Sequence, residues 1–233
     1  MYGRVIYVLG PEGVGKSIQA CFLIGYFKKY FSMRAVSSEV RSNNLFMYLL
    51  SMFLIRCGRV EYYVYPGSAR VARIDRLFMR NIIGLWLVLE ALAFIIAHVF
   101  KITLVRFLGY TVVLTRHVVD FLTDMYALGF TCRRIITTHY LLSYILLRLF
   151  FNYDLVIYLD ADYSTLIKRY VKRGSYIEPR IWVNFYRRIS RKLLAIGSSR
   201  SNSEIYYVNT DSKDTVNVFA SILSILHSRG LFS

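Results

Sequence analysis

Residues 10–17 read Gly10-Pro11-Glu12-Gly13-Val14-Gly15-Lys16-Ser17. This stretch fits the phosphate-binding pattern G-x-x-x-x-G-K-[ST] at every fixed position. The run before it, Arg4-Val5-Ile6-Tyr7-Val8-Leu9, is apolar and rich in β-branched residues, as a buried strand should be. The run after it, Ser17 to Phe31, repeats its apolar residues at helical spacing. Strand, glycine loop and helix in that order give the motif its structural context. Glycines let backbone N–H groups curl around phosphate oxygens, and the helix start adds further N–H groups and the positive end of its dipole. On this basis Gly10 to Ser17 is the expected nucleotide-binding element. Lys16 is expected to reach the β- and γ-phosphates of ATP, and Ser17 to ligate Mg²⁺.

The composition sets bounds on what surrounds the loop. At 233 residues the chain is long enough for one large α/β domain with a substantial core, expected over 1–233. Hydrophobic residues make up 56% and the mean hydropathy is +0.41, which is high for a soluble protein. The net charge of +16 favours anionic partners, among them nucleotides and an acidic membrane face. Nucleic acid is not expected, because no nucleic-acid-binding module is visible. Cys21, Cys57 and Cys132 have neither pairing nor metal spacing and read as buried free thiols of a reducing, cytoplasmic compartment. The first strand begins within a few residues of Met1, so no signal peptide is expected. His117, His139 and Cys132 read as structural or surface residues.

Short apolar runs recur along the chain at Val5–Leu9, Met33–Ser37, Thr111–Leu114, Leu155–Leu159 and Ile205–Val208. Helical patterns are expected over 16–31, 41–57, 77–108 (with a break), 117–129, 137–151, 163–173, 180–196 and 213–229. The alternation predicts a parallel five-stranded sheet with helices on both faces, a three-layer P-loop sandwich. In such sheets ligands sit at the carboxyl ends of the strands. Gly10, Ser37–Glu39, Thr115–Arg116 and Asp160–Asp162 all fall at those ends.

One stretch competes with this assignment. Asn81–Phe100 (NIIGLWLVLEALAFIIAHVF) is apolar for 20 residues between Arg80 and Lys101. At ~1.5 Å per residue it could span a bilayer. Glu90 at its centre would cost roughly 2.5–3.5 kcal/mol on insertion scales. A single span would also divide the strands between the two sides of the membrane and break the sheet. A buried or interfacial helix is therefore expected, with peripheral membrane contact or an apolar homodimer face as its further uses. The Arg59–Arg80 stretch reads as a basic loop and helix start, either solvated or facing a membrane.

Further segments carry a resemblance. Gly109-Tyr110-Thr111-Val112-Val113-Leu114-Thr115-Arg116-His117 resembles the G-x-x-V-I-x-D-R-Y segment of thymidylate kinases. Asp154-Leu155-Val156-Ile157-Tyr158-Leu159-Asp160-Ala161-Asp162, with Arg169 and Arg173-Gly174, is similar to that family's second signature, and Tyr206–Asp211 followed by a helix to its last strand and helix. The long apolar helices before Gly109 look most like those of archaeal thymidylate-kinase-like proteins. The resemblance implies a P-loop nucleoside monophosphate kinase, cytoplasmic, using ATP and Mg²⁺ on a nucleotide substrate. It departs from the family in four places. Thr115 stands at the family's acidic position, His117 at its Tyr, Ser37-Ser38-Glu39-Val40 replaces T-R-E-P, and the A-x-D-R helix segment has no counterpart near Leu92–Ile95. The phosphate-donor half of the site thus looks intact and the acceptor half altered, which keeps two alternatives open: a kinase of a membrane-proximal or lipid-linked acceptor, and a non-catalytic nucleotide-binding protein that docks on a membrane or partner.

The residues also carry roles on chemical grounds. Arg116, at a strand end beside the loop, suits a bidentate clamp on an acceptor phosphate. Arg169, Arg173 and Arg180 flank a polar hinge, expected as a lid over 174–181 whose arginines stabilise developing charge. The catalytic set expected is therefore Lys16, Arg116, Arg173 and Arg180. Glu39 and Asp160 are candidate Mg²⁺ carboxylates alongside Ser17, and Asp162 is expected to cap the helix that starts at 163.

Overall fold

A computed structural model describes residues 3–40, 55–58, 60–64, 70–74, 76–131, 133, 135–199, 201, 203–211 and 213–229. Its centre is a parallel sheet of strands β1 (Val5–Leu9), β2 (Ala35–Glu39), β5 (Thr111–Arg116), β6 (Leu155–Asp160) and β7 (Ile205–Asn209) in the order β2-β5-β1-β6-β7. Alternate residues of the central strands face opposite sides, as the period of two requires. Val5, Tyr7, Leu9, Val112, Leu114, Val156 and Tyr158 enter one core cluster. Ile6, Val8, Val113, Leu155, Ile157 and Leu159 enter the other. Burial on both faces explains why these strands read as uninterrupted apolar runs.

Helices α1 (Lys16–Phe31), α6 (Tyr163–Arg173) and α8 (Thr215–Ser228) cover the second face, where Leu23, Phe27, Leu166, Tyr170 and Ile222 are buried. Helices α2 (Arg76–His98), α4 (Val118–Thr131), α5 (Thr137–Phe150) and α7 (Arg180–Ser198) cover the first, with Leu87, Phe94, Leu122, Leu146 and Leu194 buried. The sheet order reverses beside β1, which places the loop after β1 at the topological switch point, where ligands of open α/β sheets bind.

The apolar stretch is a core helix on one side and a bare one on the other. It continues from α2 through a π-helical turn (Val99–Thr103) into α3 (Leu104–Phe107), so the expected break is a local widening of a continuous helix. Residues Arg80–Phe107, 28 in all, are long and apolar enough to cross a membrane. Ile83, Leu87, Ala91, Phe94 and Ile102 are packed in the core of the sheet's first face. Leu85, Val88, Leu92, Ile96, Phe100 and Phe107 are exposed on the other side. The helix is therefore joined to the sheet by its inner stripe and carries an apolar outer stripe.

The structure departs from the sequence expectations at several points. The second strand is shifted two residues toward its carboxyl end, to Ala35–Glu39, because pairing with β5 holds Ser37, Ser38 and Glu39 in the ladder despite their polarity. Val60–Val64 (β3) and Arg70–Ile74 (β4) pair antiparallel as a two-stranded sheet within the stretch read as a basic loop. Arginines interrupt the apolar pattern of that hairpin and hide it. Cys21 and Cys57 are exposed rather than buried. Asp162 occupies the cap position of α6, but its side chain makes no capping hydrogen bond. Most of the helix expected over 41–57 and the thiol of Cys132 lie outside the described residues.

Candidate active site

The loop is shaped by two glycines. Gly10 takes φ +150, and a Cβ there would meet the Leu159 carbonyl oxygen at 2.1 Å, so β6 presses directly on the loop's start. Gly13 takes φ +82 with the Tyr170 ring against it, and a Cβ would lie 3.1 Å from that ring. Tyr170 also donates its hydroxyl to the Glu12 carbonyl at 2.9 Å, and Arg169 donates to the Gly13 carbonyl at 3.3 Å and to Thr210 at 2.6 and 3.0 Å. Arg169 is thus a brace between the loop and the end of β7. Lys16 opens α1 and folds back over the loop, donating to the Gly10 carbonyl and, at 3.1 Å, to the Pro11 carbonyl. Burial pulls its pKa down from the ordinary lysine value, against the attraction of Asp120.

Opposite the loop stands the end of β5. The β2–β5 ladder slips between Ser38 and Glu39, so that Glu39 pairs with Arg116. A bulge of this kind re-aims a side chain at a strand end. Glu39 accepts the Thr115 hydroxyl at 2.9 Å, and Arg116 pairs with Glu12 across the cleft. Burial of Arg116 works against its charge, but Asp120, Glu12 and Asp124 together outweigh it and hold its pKa above the ordinary value. A cavity of about 180 Å³ lies between the two walls, lined by Pro11 to Gly13, Gly15 to Ile18, Glu39, Thr115, Arg116 and Arg173. A second, of about 290 Å³, opens behind the loop among Gln19, Arg169, Lys172, Arg173, Thr210, Lys213 and Thr215.

A buried polar cluster underlies the cleft. Asp120, at the start of α4, accepts the Tyr7 hydroxyl, the Tyr186 hydroxyl at 2.6 Å and the His117 backbone N–H at 3.1 Å. Burial, and then the Asp120 charge, push both tyrosine hydroxyls well above their ordinary pKa. His117 is fully buried and bonds His98 at 2.7 Å on one side and Tyr153 on the other, in keeping with a structural role. Sequence reasoning missed this cluster, because Tyr7, Asp120 and Tyr186 lie on three elements far apart in the chain.

The expected site residues divide by position. Gly10 to Ser17, Glu39, Arg116 and Arg173 come together around one cleft. Arg180 begins α7 with its guanidinium over the Tyr163 ring, 6.0 Å from the centroid, and does not line the cleft. Asp160 is turned away from it. Its two oxygens take Arg187 at 2.9 Å and Arg191 at 2.7 Å, which fixes α7 to the end of β6. As a Mg²⁺ carboxylate Asp160 gains no support from this geometry, whereas Glu39 shares the cleft with Ser17. Within the hinge, Glu178 receives the Tyr170 hydroxyl at 3.4 Å. Burial, and then the Glu12 charge, raise its pKa.

No protein-family model and no curated protein matches this chain in sequence. Solved structures do match in shape. A thymidylate kinase from Candida albicans superimposes with a TM-score of 0.60 at 14% identity, over 100% of this chain and 94% of that one. A deoxyadenosine kinase from M. mycoides with bound dATP gives a TM-score of 0.58 at 14% identity, over 96% of this chain and 99% of that one. At that identity the likeness is one of fold, and it covers the sheet, its helical layers and the loop after β1: the chain has the α/β fold of the P-loop kinases.

Proposed function

We propose that this protein is an ATP-dependent, Mg²⁺-requiring phosphotransferase whose acceptor is a nucleoside monophosphate or its parent nucleoside. One observation carries the proposal: a single cleft sets the loop's Lys16 and Ser17 against Glu39, Thr115 and Arg116. Phosphoryl transfer needs the donor phosphate held in line with an acceptor oxygen, and positive charge around both. In this proposal loop amides and Lys16 hold the donor phosphates. The cavity behind the loop, with Lys172, Lys213 and Gln19, takes the donor's base and sugar. Ser17 and Glu39 would hold Mg²⁺, a hard cation that prefers oxygen donors and leans on few protein ligands beside the phosphates. Held by these two residues, Mg²⁺ would supply positive charge that offsets the charge of the donor phosphates. Arg116, released from Glu12, binds the acceptor's oxygens. Arg173, which borders both cavities, acts from the lid at 174–181, and Arg180 follows when the lid closes.

The kinases of like fold add weight, since one acts on a nucleoside and the other on a nucleoside monophosphate by their names. A second proposal keeps this chemistry but moves it to a membrane-proximal or lipid-linked acceptor. The exposed stripe from Leu85 to Phe107 favours it. The test is ATP consumption by purified protein across nucleosides and their monophosphates, with and without lipid extract, and Lys16→Ala as the blank. Turnover with no soluble acceptor but with lipid would select the second proposal. No turnover in any arm would refute both.

A further inference from the structure

The outer stripe of α2 does not stand alone. A Cβ on Gly84 would lie 3.5 Å from the Ile136 Cδ1, and the His98 and Phe150 rings are 4.4 Å apart between centroids. These contacts join the start of α5 to the first half of α2 and its end to the end of α2. The two helices therefore run side by side in one direction, over about 20 Å at ~1.5 Å per residue. Leu85, Val88, Leu92 and Ile96 are exposed along α2. Leu141, Ile145 and Leu149, one turn apart, are exposed along α5. Together they make an apolar face ~20 Å long and two helices, ~20 Å, wide. Phe100 and Phe107 extend it past the π-helical turn. A contiguous patch of about 400 Å² is the size at which apolar surface is commonly functional.

The charges around this face are of one sign. From Arg76 to Val119 the sequence has one acidic residue, Glu90, and it is buried on the inner side of α2. From Met125 to Tyr153 it has none. Asp124 is exposed, but it lines a cavity beside Trp86 and Glu90, on the side of α2 turned away from the outer stripe. Exposed cations stand at both ends of the face: Arg80 and Arg133 where the helices begin, Lys101 and Arg148 where they end. A second copy of this chain would bring the same cations to the same edges, whichever way it was turned, and would meet no carboxylate there. An anionic bilayer supplies the opposite charge and an apolar interior together. Tyr140 and Tyr144, exposed beside Leu141 and Ile145, combine an apolar ring with a polar hydroxyl, as residues at a membrane interface do.

We propose that the α2–α5 face is a docking surface for an anionic membrane, on which both helices lie flat. Their aliphatic side chains enter the acyl boundary, and the flanking cations meet the lipid phosphates. Leu87 and Phe94 stay in the core below the sheet's first face, so the helix does not cross. Lys101 ties the face to the cleft. Its ammonium donates to the Glu39 carbonyl at 3.2 Å, and Glu39 lines the cleft. Docking therefore sets the cleft beside the lipid surface. The inference goes beyond the phosphotransferase proposal and holds for a soluble and a lipid acceptor alike.

The test is flotation of the full chain with vesicles of phosphatidylcholine alone or mixed with phosphatidylserine. Wild type should bind the mixed vesicles about tenfold more tightly than the neutral ones, and high salt or alkaline carbonate should release it. Leu92→Glu with Leu141→Glu sets carboxylates in the exposed stripe and should abolish flotation while leaving the circular dichroism spectrum unchanged. Arg133→Gln with Arg148→Gln keeps the apolar face and should weaken binding to the mixed vesicles about tenfold. If the glutamate pair does not fold, the arginine pair and the dependence on lipid and salt decide. No flotation, or equal flotation with both vesicles, overturns the proposal. Resistance to carbonate overturns it in favour of a span. A wild-type dimer by light scattering that the glutamate pair dissociates would assign the face to a second copy and overturn it as well. ATP binding at the loop is read separately with Lys16→Ala, so failure here leaves the phosphotransferase proposal standing.

Discussion

Replacing Glu90 by Gln should change how stability depends on pH. Glu90 is held up to about 8 from an ordinary 4.5, chiefly by burial. The folded protein therefore keeps the Glu90 proton over a pH range in which the unfolded chain has lost it. Stability falls with rising pH wherever the folded state binds more protons. The Glu90 contribution is fully present below pH 4.5, fades as pH rises through the window up to about 8, and is gone above it. Across the ~3 units from pH 5 to 8, at ~1.36 kcal/mol per unit, wild type should lose on the order of 4 kcal/mol through this one group. Gln keeps the shape and an acceptor for the Trp86 N–H but does not titrate in this range. The variant's stability curve should therefore be flatter, and above pH 8 it should be the more stable protein. Urea unfolding at intervals from pH 5 to 9 measures both curves. Parallel curves would show that Glu90 is ionised in the fold at neutral pH and would refute the argument from burial.

The cleft supports three further expectations. Lys16→Ala removes the lysine that overhangs the loop and should abolish measurable ATP binding by calorimetry, while Ser17→Ala should mainly weaken the Mg²⁺ dependence; unchanged affinity in Lys16→Ala would rule the loop out as the donor site. Arg116→Ala should leave ATP affinity near wild type and cost roughly 1.5–3 kcal/mol in acceptor kcat/KM, the value of a charge-assisted pair. Equal loss of donor and acceptor binding would make Arg116 a structural or donor-side residue. Arg173→Ala should lower kcat more than it weakens binding, and the hinge at 174–181 should be protected from proteolysis when ATP analogue and acceptor are both present. Cleavage at the same rate with and without them would count against a lid.

Local physics accounts for what the sequence discloses here. The loop, β1 and α1 are contiguous, and each is specified by its own residues, so their boundaries could be read closely: α1 runs to Phe31 as its pattern predicts. The central strands are apolar in their middle residues because both faces are covered there, and turn polar only at their ends. β2 was misplaced because its last residues are polar and are held by pairing with β5, a contact 76 residues away in the case of Glu39 and Thr115. Asp160 misled for a related reason. A carboxylate at a strand end suits a metal, but the two arginines that claim it lie on α7, 27 and 31 residues on.

The same distinction separates the two halves of the cleft. A phosphate is recognised by backbone N–H groups and one lysine, so a short continuous segment suffices and leaves a pattern in the chain. The acceptor side of the cleft, as proposed above, is made by side chains brought together from β2 and β5, and their spacing in sequence follows the topology instead of the ligand. Glu90 shows the difference. Read along the chain, it is a charge that argues against a membrane span. Set in the fold, it is a buried carboxyl beside Trp86, with one oxygen that has no hydrogen-bond partner among the described residues. A buried polar atom without a partner costs about 1–3 kcal/mol, and only the packing of α2 against α4 shows where the chain carries that cost. The departures of Thr115 and Ser37-Ser38-Glu39 from the thymidylate-kinase pattern fall on the same side of the cleft, where a change of acceptor would be registered, while the loop proposed to bind the donor keeps its pattern unaltered.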